Sequence, residues 1–282
     1  MSLITIKNEQ LTAVISSRGA ELQSLVGRDG VERIWQRDPA YWSFCAPILF
    51  PVAGGLREDC YYLDGQRYEM PKHGFVRTIE WQVEETGPEK AVFLMTEQHP
   101  GFPFKYALRA IFELKGNSIS ITYRVSNLDE RVFWYGIGSH EAYATPGGLE
   151  AYQIRFDEKE TLANSELVGN LIKPEPVIMA EDTDVLPLKT EYFAVDALVF
   201  RTLKSRGVTL TSSLHDRKIR VDFPGHDVLM FWTKPGADYI CIEPWCNAPD
   251  LLDSDMQIEH KPGCIRLAPG ETADRTHTIT VS

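Results

Sequence analysis

The chain has 282 residues, 43% hydrophobic and 24% charged, the composition of a soluble globular protein long enough to bury a core without disulfides or metals. Its 40 Asp+Glu against 29 Lys+Arg give a formal charge of −11, which argues against a nucleic-acid or anionic-membrane surface but leaves room for a few cations clustered in one pocket. There is no signal-peptide pattern and no stretch near the ~18 apolar residues of a membrane span, and Cys45, Cys60, Cys241, Cys246 and Cys264 form no C-x-x-C pair, so reduced thiols and a cytoplasmic protein are expected.

In chain order, residues 3–6 and 11–15 open as short β-rich runs, and 39–44 reads as a turn of helix. Runs 61–63 and 66–70 flank Asp64-Gly65, a strong two-residue hairpin signal. Residues 80–85 alternate around Trp81 and Val83, and 91–96 follow a Gly-Pro break. Runs 106–114 and 118–125 are separated by Lys-Gly-Asn, and the strict alternation from Ile119 to Val125 is that of a half-buried strand. The rhythm continues through 152–156, 197–203, 208–214, 218–223, 228–232, 239–243, 264–267 and 276–281, with one short helical turn near 191–196. Proline-rich 160–190 reads as a long, irregular surface excursion. With helical periodicity scarce and no fixed repeat or composition step, the expected fold is all-β, a large antiparallel β-sandwich in a single domain over 1–282.

No glycine-rich nucleotide loop, P-loop, H-E-x-x-H or G-x-S-x-G is present, so no cofactor or metal is expected. The chemistry must come from polar residues set among apolar ones. Arg57 follows the glycine-containing loop Pro47-Ile-Leu-Phe-Pro-Val-Ala-Gly-Gly-Leu, and a solvated arginine is its plain alternative. His73 lies in Lys72-His73-Gly74-Phe75-Val76-Arg77, and His140 ends the aromatic strand Trp134-Tyr135-Gly-Ile-Gly-Ser139; residue type alone leaves a structural histidine open at both. In Tyr239-Ile-Cys-Ile-Glu243-Pro-Trp245, alternation puts Tyr239, Cys241 and Glu243 on one face. A carboxylate ending a strand is equally open as a plain rim residue or, with the Trp245 indole beside it as a platform, as part of a sugar pocket. Asp196 starts an apolar run, where a turn role is equally open, and His99, His215, His226, His260 and His277 receive no role.

These segments, taken in order with Arg18–Leu25, Glu32–Trp35 and Asp38-Pro-Ala-Tyr-Trp42, resemble the aldose 1-epimerase superfamily, in particular its LacX-like branch, over nearly the whole chain. The resemblance implies a galactose mutarotase-like supersandwich and interconversion of the α and β anomers of a hexose by ring opening and reclosure. It assigns Glu243 as the base at the anomeric hydroxyl, His140 as the acid at the ring oxygen, His73 as an assisting donor, and Arg57 and Asp196 as grips on hydroxyls. After the second histidine, where many relatives carry Pro or Tyr-Phe, this chain has Glu141-Ala-Tyr143. Arg57 and Arg77 resemble an arginine pair around a phosphate, so a hexose-phosphate mutarotase is the second substrate reading. A non-catalytic sugar-binding or sensing protein, a zinc hydrolase built on two His and a Glu, and a glycosidase using Glu243 and Asp196 are compatible with the same residues. The expected partner is a small sugar or sugar phosphate, with neither nucleic acid nor membrane.

Overall fold

The computed structural model describes residues 1–282. Local turn chemistry starts the fold. Asp64 and Gly65 both take positive φ (51° and 74°), which closes Cys60–Leu63 onto Gln66–Glu69 in the twist that two-residue hairpins favour. Gly116 (φ 59°) likewise turns Tyr106–Lys115 back along Ser118–Asn127. Along Ser118–Asn127 buried side chains alternate with partly or fully exposed ones, as one core-facing sheet surface requires.

Thirteen strands form the main sheet, and every pairing in it is antiparallel. Glu141–Ala144 lies at one end, followed by Tyr239–Trp245, Val228–Trp232, Leu198–Phe200, Tyr152–Asn164, Gly207–Ser212, Ile219–Asp222 and, in eighth place, Thr272–Val281. Ser118–Asn127, Tyr106–Lys115, Lys90–Met95 and Gln82–Thr86 complete the path. In a flat sheet the first and eighth strands would stand about 34 Å apart, at roughly 4.8 Å per spacing. Instead Glu141 and His277, one from each, touch at 3.0 Å. The sheet therefore folds over on itself, and its inner face encloses a core of 64 buried residues running from Ile6 to Val281. A three-stranded sheet of Leu3–Lys7, Leu11–Ser16 and Glu21–Gly27 adds Ile6, Leu11, Ile15, Leu22 and Leu25 to that core.

Two local readings change. Residues 160–190 are a strand ribbon, with Val177–Pro187 pairing back along Tyr152–Asn164 through bulges and the small hairpin Leu167–Val168/Leu171–Ile172 between them. Pro174 and Pro176 are confined to the connection, so the ribbon escapes the ladder hydrogen bonds they could not make. Residues 39–44 form only a turn, in which the amides of Tyr41 and Trp42 donate to the Asp38 carbonyl. Near 191–196 the expected helical turn is a 3-10 turn over Thr190–Phe193.

Candidate active site

The site rests on the Tyr239–Trp245 strand and its two hydrogen-bonded neighbours. Ile240 and Ile242 enter the main core, whereas Tyr239 and Cys241 join Ala142 beneath Trp35, Trp42 and Trp232 on the opposite face. Glu243 shares that second face by alternation. In register, Met230 lies opposite Glu243 and Trp232 opposite Cys241. His140 directly precedes Glu141–Ala144, which pairs with the other edge of the same strand. Glu243 and His140 thus converge, with His140 Nε2 3.3 Å from Glu243 Oε2.

His73 arrives from a loop with demanding backbone geometry. It adopts φ 68° and is followed by Gly74 at φ 71°. A Cβ on Gly74 would come within 1.8 Å of the Phe50 carbonyl oxygen, so only glycine fits. The Gly54 N–H donates to His73 Nδ1 at 3.2 Å, and the His73 amide donates to the Gly54 carbonyl at 2.9 Å. With Nδ1 accepting, the neutral ring carries its proton on Nε2 and is a donor there. The His73 ring stands edge-on to His140, centroids 5.8 Å apart.

These groups line a cleft of about 700 Å³, together with Arg77, Asp196 and Trp245. The half-buried Trp42 tilts over His140 at 4.8 Å, and Trp232 meets it edge-on at 5.8 Å. Trp245 is only 1% exposed, and its indole N–H donates to the Ser139 carbonyl at 2.9 Å. It is therefore a wall behind His73, and the open aromatic surfaces are Trp42 and Trp232. One Asp196 oxygen accepts the Ala197 amide at 2.8 Å. Arg77 is half-buried, its guanidinium carbon 5.5 Å from the Phe44 ring centroid.

Arg57 does not join this group. A 3-10 turn over Arg57–Asp59 carries it away from the cleft, where its amide donates to Asp250 Oδ2 at 2.9 Å and its guanidinium to the Ser254 carbonyl at 2.8 Å. Lys72 and Lys234 stand in the cleft instead, and neither they nor Arg77 has a carboxylate within ion-pair distance. Lys72 adjoins His73, so sequence proximity could have found it. Trp232 required the pairing of its strand with Cys241, and Lys234 follows it in the next loop.

Glu243 is 1% exposed, and neither carboxylate oxygen has a hydrogen-bond partner. Burial pushes its pKa well above the carboxylate range; Lys72 opposes this, and the nearby carboxylates of Glu141 and Asp196 add to it. Burial also drives His140 down to about 3 and His73 well below the usual imidazole value, with the Lys72 and Arg77 charges adding to both shifts. The cleft by itself therefore favours two neutral imidazoles and a protonated carboxyl. His140 and Glu243 hold one mobile proton between them, which is the minimum equipment for a proton relay. Cys241 Sγ lies with the His140 and Glu243 ligand atoms inside 4.8 Å of one another, so this trio is also the one set here able to approach a single cation.

A family model described as aldose 1-epimerase matches residues 2–280. The plasmid-encoded Protein LacX of Lactococcus lactis subsp. lactis is 33% identical over 297 residues, 99% of each chain, and its chromosomal counterpart is 32% identical over 295 residues, again 99% of each. Among solved structures, a galactose mutarotase-related enzyme from Lactobacillus acidophilus is 27% identical, covers 100% of this chain and 97% of its own, and superposes with a TM-score of 0.93. A galactose mutarotase-like protein from Lactobacillus casei matches at 27% identity over 100% of both chains, also with a TM-score of 0.93.

Proposed function

The chain belongs to the aldose 1-epimerase family, and from that premise we propose that it interconverts the α and β anomers of an aldohexose without a cofactor. The observation that carries this reading is the buried, unpartnered Glu243 carboxyl 3.3 Å from His140 at the floor of a cleft. Opening a hemiacetal requires a proton to leave O1 and another to reach O5. Once the shared proton has moved to His140, the less favoured arrangement of the free cleft, the carboxylate takes the O1 proton and the imidazolium protonates O5. His73, a donor at Nε2, supports the oxygen that gains charge. Rotation about C1–C2 and reclosure in the reverse proton order give the other anomer and restore the pair. Trp42 and Trp232 offer aromatic faces to the apolar side of the ring, and the free oxygen of Asp196 takes a hydroxyl. Nothing is oxidised and no group is transferred. Five free cysteines suit a cytoplasmic setting, and no helix is long and apolar enough to cross a membrane.

The test is polarimetric or NMR relaxation of freshly dissolved α-D-glucose and α-D-galactose with and without the protein. Acceleration is expected; a protein that binds aldoses yet accelerates no free or phosphorylated one is a sugar-binding protein, and the enzymatic reading is lost.

A phosphorylated hexose is the second substrate reading. It is favoured by Lys72, Arg77 and Lys234, three cations without carboxylate partners lining one cleft of a protein of charge −11. Their placement moves the clamp expected of Arg57 and Arg77 to Arg77 and the two lysines. If a phosphate binds there, hexose 6-phosphates relax faster than free hexoses at equal concentration, and inorganic phosphate competes. Equal rates with no competition remove this reading and leave the first intact.

A further inference from the structure

The alternation that sends His140 into the cleft sends its neighbour Glu141 the other way, into the core between the two layers of the folded sheet. Glu141 is 1% exposed. Its Oε1 meets Nε2 of the fully buried His277 at 3.0 Å, and its Oε2 has no partner in the protein. Glu141 stands opposite Ile242 in the ladder, so its carboxyl lies one sheet thickness behind Glu243. A carboxylate held by a single donor in apolar surroundings is a costly feature, since a hydrophobic pair of similar volume would suit the core as well or better. It serves neither the ladder nor the cleft directly.

We propose that Glu141, clamped by His277, is a positioning residue that sets the basicity of Glu243 through the sheet. The proposal rests on the reading of Glu243 as the base. Glu141 faces His277 from Thr272–Val281, Tyr123 from Ser118–Asn127 and Tyr143 on its own strand. Behind His277 stand His226 and Arg275. Glu243 is faced in the cleft by His140, Lys72 and Asp196, with Tyr239 and Cys241 on its own strand. The cleft thus supplies Glu243 with a cation in Lys72 and a carboxylate in Asp196. Glu141 is the one acidic group acting on it from the core, where no solvent screens it, and its negative charge strengthens Glu243 as a base. His277 fixes the carboxyl of Glu141 by its single hydrogen bond and keeps the charge localised at the sheet. His140 and Glu141 are consecutive in the chain, so the acid and the charge that tunes the base are carried by adjacent residues.

The test is the pH profile of kcat for anomer exchange in E141Q. A base is active when ionised, so its rate falls as pH drops through its pKa; weakening it moves that acid limb to lower pH. E141Q is expected to shift the limb down by about one pH unit, the effect of a single charge across a sheet at an effective permittivity near 20, with KM nearly unchanged. E141D, which keeps the charge, restores the limb. An E141Q enzyme with a lower rate but an unmoved limb has lost only structure, and that overturns the proposal. Should E141Q not fold, the double variant E141L/H277L replaces the buried pair by a hydrophobic one and removes the charge, and an unmoved limb there overturns the proposal equally. If the wild type accelerates no sugar, the titration of Glu243 read by carboxyl 13C shifts still decides: the same Glu243 midpoint in wild type and E141Q overturns the through-sheet effect independently of the enzymatic reading.

Discussion

At the residue scale the proposed chemistry turns on groups left short of partners. Glu243 and His140 are buried, yet the carboxyl accepts no hydrogen bond, and among its aromatic neighbours the imidazole has Nδ1 unpartnered and Nε2 3.3 Å from that carboxyl. On the proposed function, a sugar that presents O1 to one and O5 to the other supplies the missing contacts at the moment protons must move. Glu243→Gln keeps shape and polarity but cannot accept a proton; anomer exchange should fall ~10²–10⁴-fold, with sugar affinity by calorimetry and the circular dichroism spectrum unchanged. A variant that keeps the full rate ends the assignment of the base. Gly74 is equally exacting for a different reason. Gly74→Ala puts a methyl against the Phe50 carbonyl at positive φ, and a loss of about 2–4 kcal/mol of stability, or displacement of the His73 loop, is expected from the clash and the backbone strain together. Thermal melts and the KM of the variant distinguish the two outcomes.

At the scale of elements, alternation along Tyr239–Trp245 separates a core face from a cleft face. Ile242→Ala removes a fully buried side chain from the core face and should cost about 2–5 kcal/mol in denaturant unfolding. With Glu243 and His140 still joined through flanking ladder bonds, the rate at low temperature should change far less than stability does; a rate that collapses while stability holds contradicts the division of faces. That division is legible in the amino-acid order alone, because period-two alternation is a local signal. So are the Asp64-Gly65 hairpin and most strand positions. Sequence could not show that Trp232 would stand opposite Cys241, since register joins segments distant in the chain. Nor could it show that the turn after Gly55 would rotate Arg57 toward Ser254 while Arg77 and Lys72 stayed in the cleft. The 160–190 ribbon is masked in the sequence by Pro174 and Pro176, which break strands locally but here occupy only the connection.

At the scale of the whole molecule, the buried titratable groups set the response to acid. Burial holds His140 and His226 near a pKa of about 3 and His73 well below 6.5. Below pH 6.5 the unfolded chain takes up protons at these sites that the folded protein refuses. Stability from each is therefore complete above 6.5 and is lost as pH falls toward 3 for His140 and His226, at about 1.4 kcal/mol per pH unit per site. Glu243 acts in the opposite sense: its raised pKa contributes stability that is complete below its unfolded value of 4.5 and is lost as pH rises through the folded one. Three histidines outweigh one carboxyl, so the melting temperature should drop on going from pH 7 to pH 5. His226 lies outside the cleft with both ring nitrogens unpartnered, and His226→Gln should flatten that drop without altering the acid limb of the rate. Equal pH dependence of melting in the two proteins would show that His226 is not held neutral.

The doubling-over of the sheet has a consequence in time. Glu141 and His277 are 136 positions apart, and each becomes tolerable in an apolar interior only once the other has arrived. A collapsed chain whose halves met one strand out of step would trap an ionisable group in oil with no partner, at a cost that favours reopening over persistence. Closure over so long a loop is slow, and local hairpins such as Tyr106–Lys115 with Ser118–Asn127 will form well before it. Refolding followed by sugar-anomer exchange should accordingly lag refolding followed by far-ultraviolet dichroism, because competence waits on the last long-range contact while strand content does not.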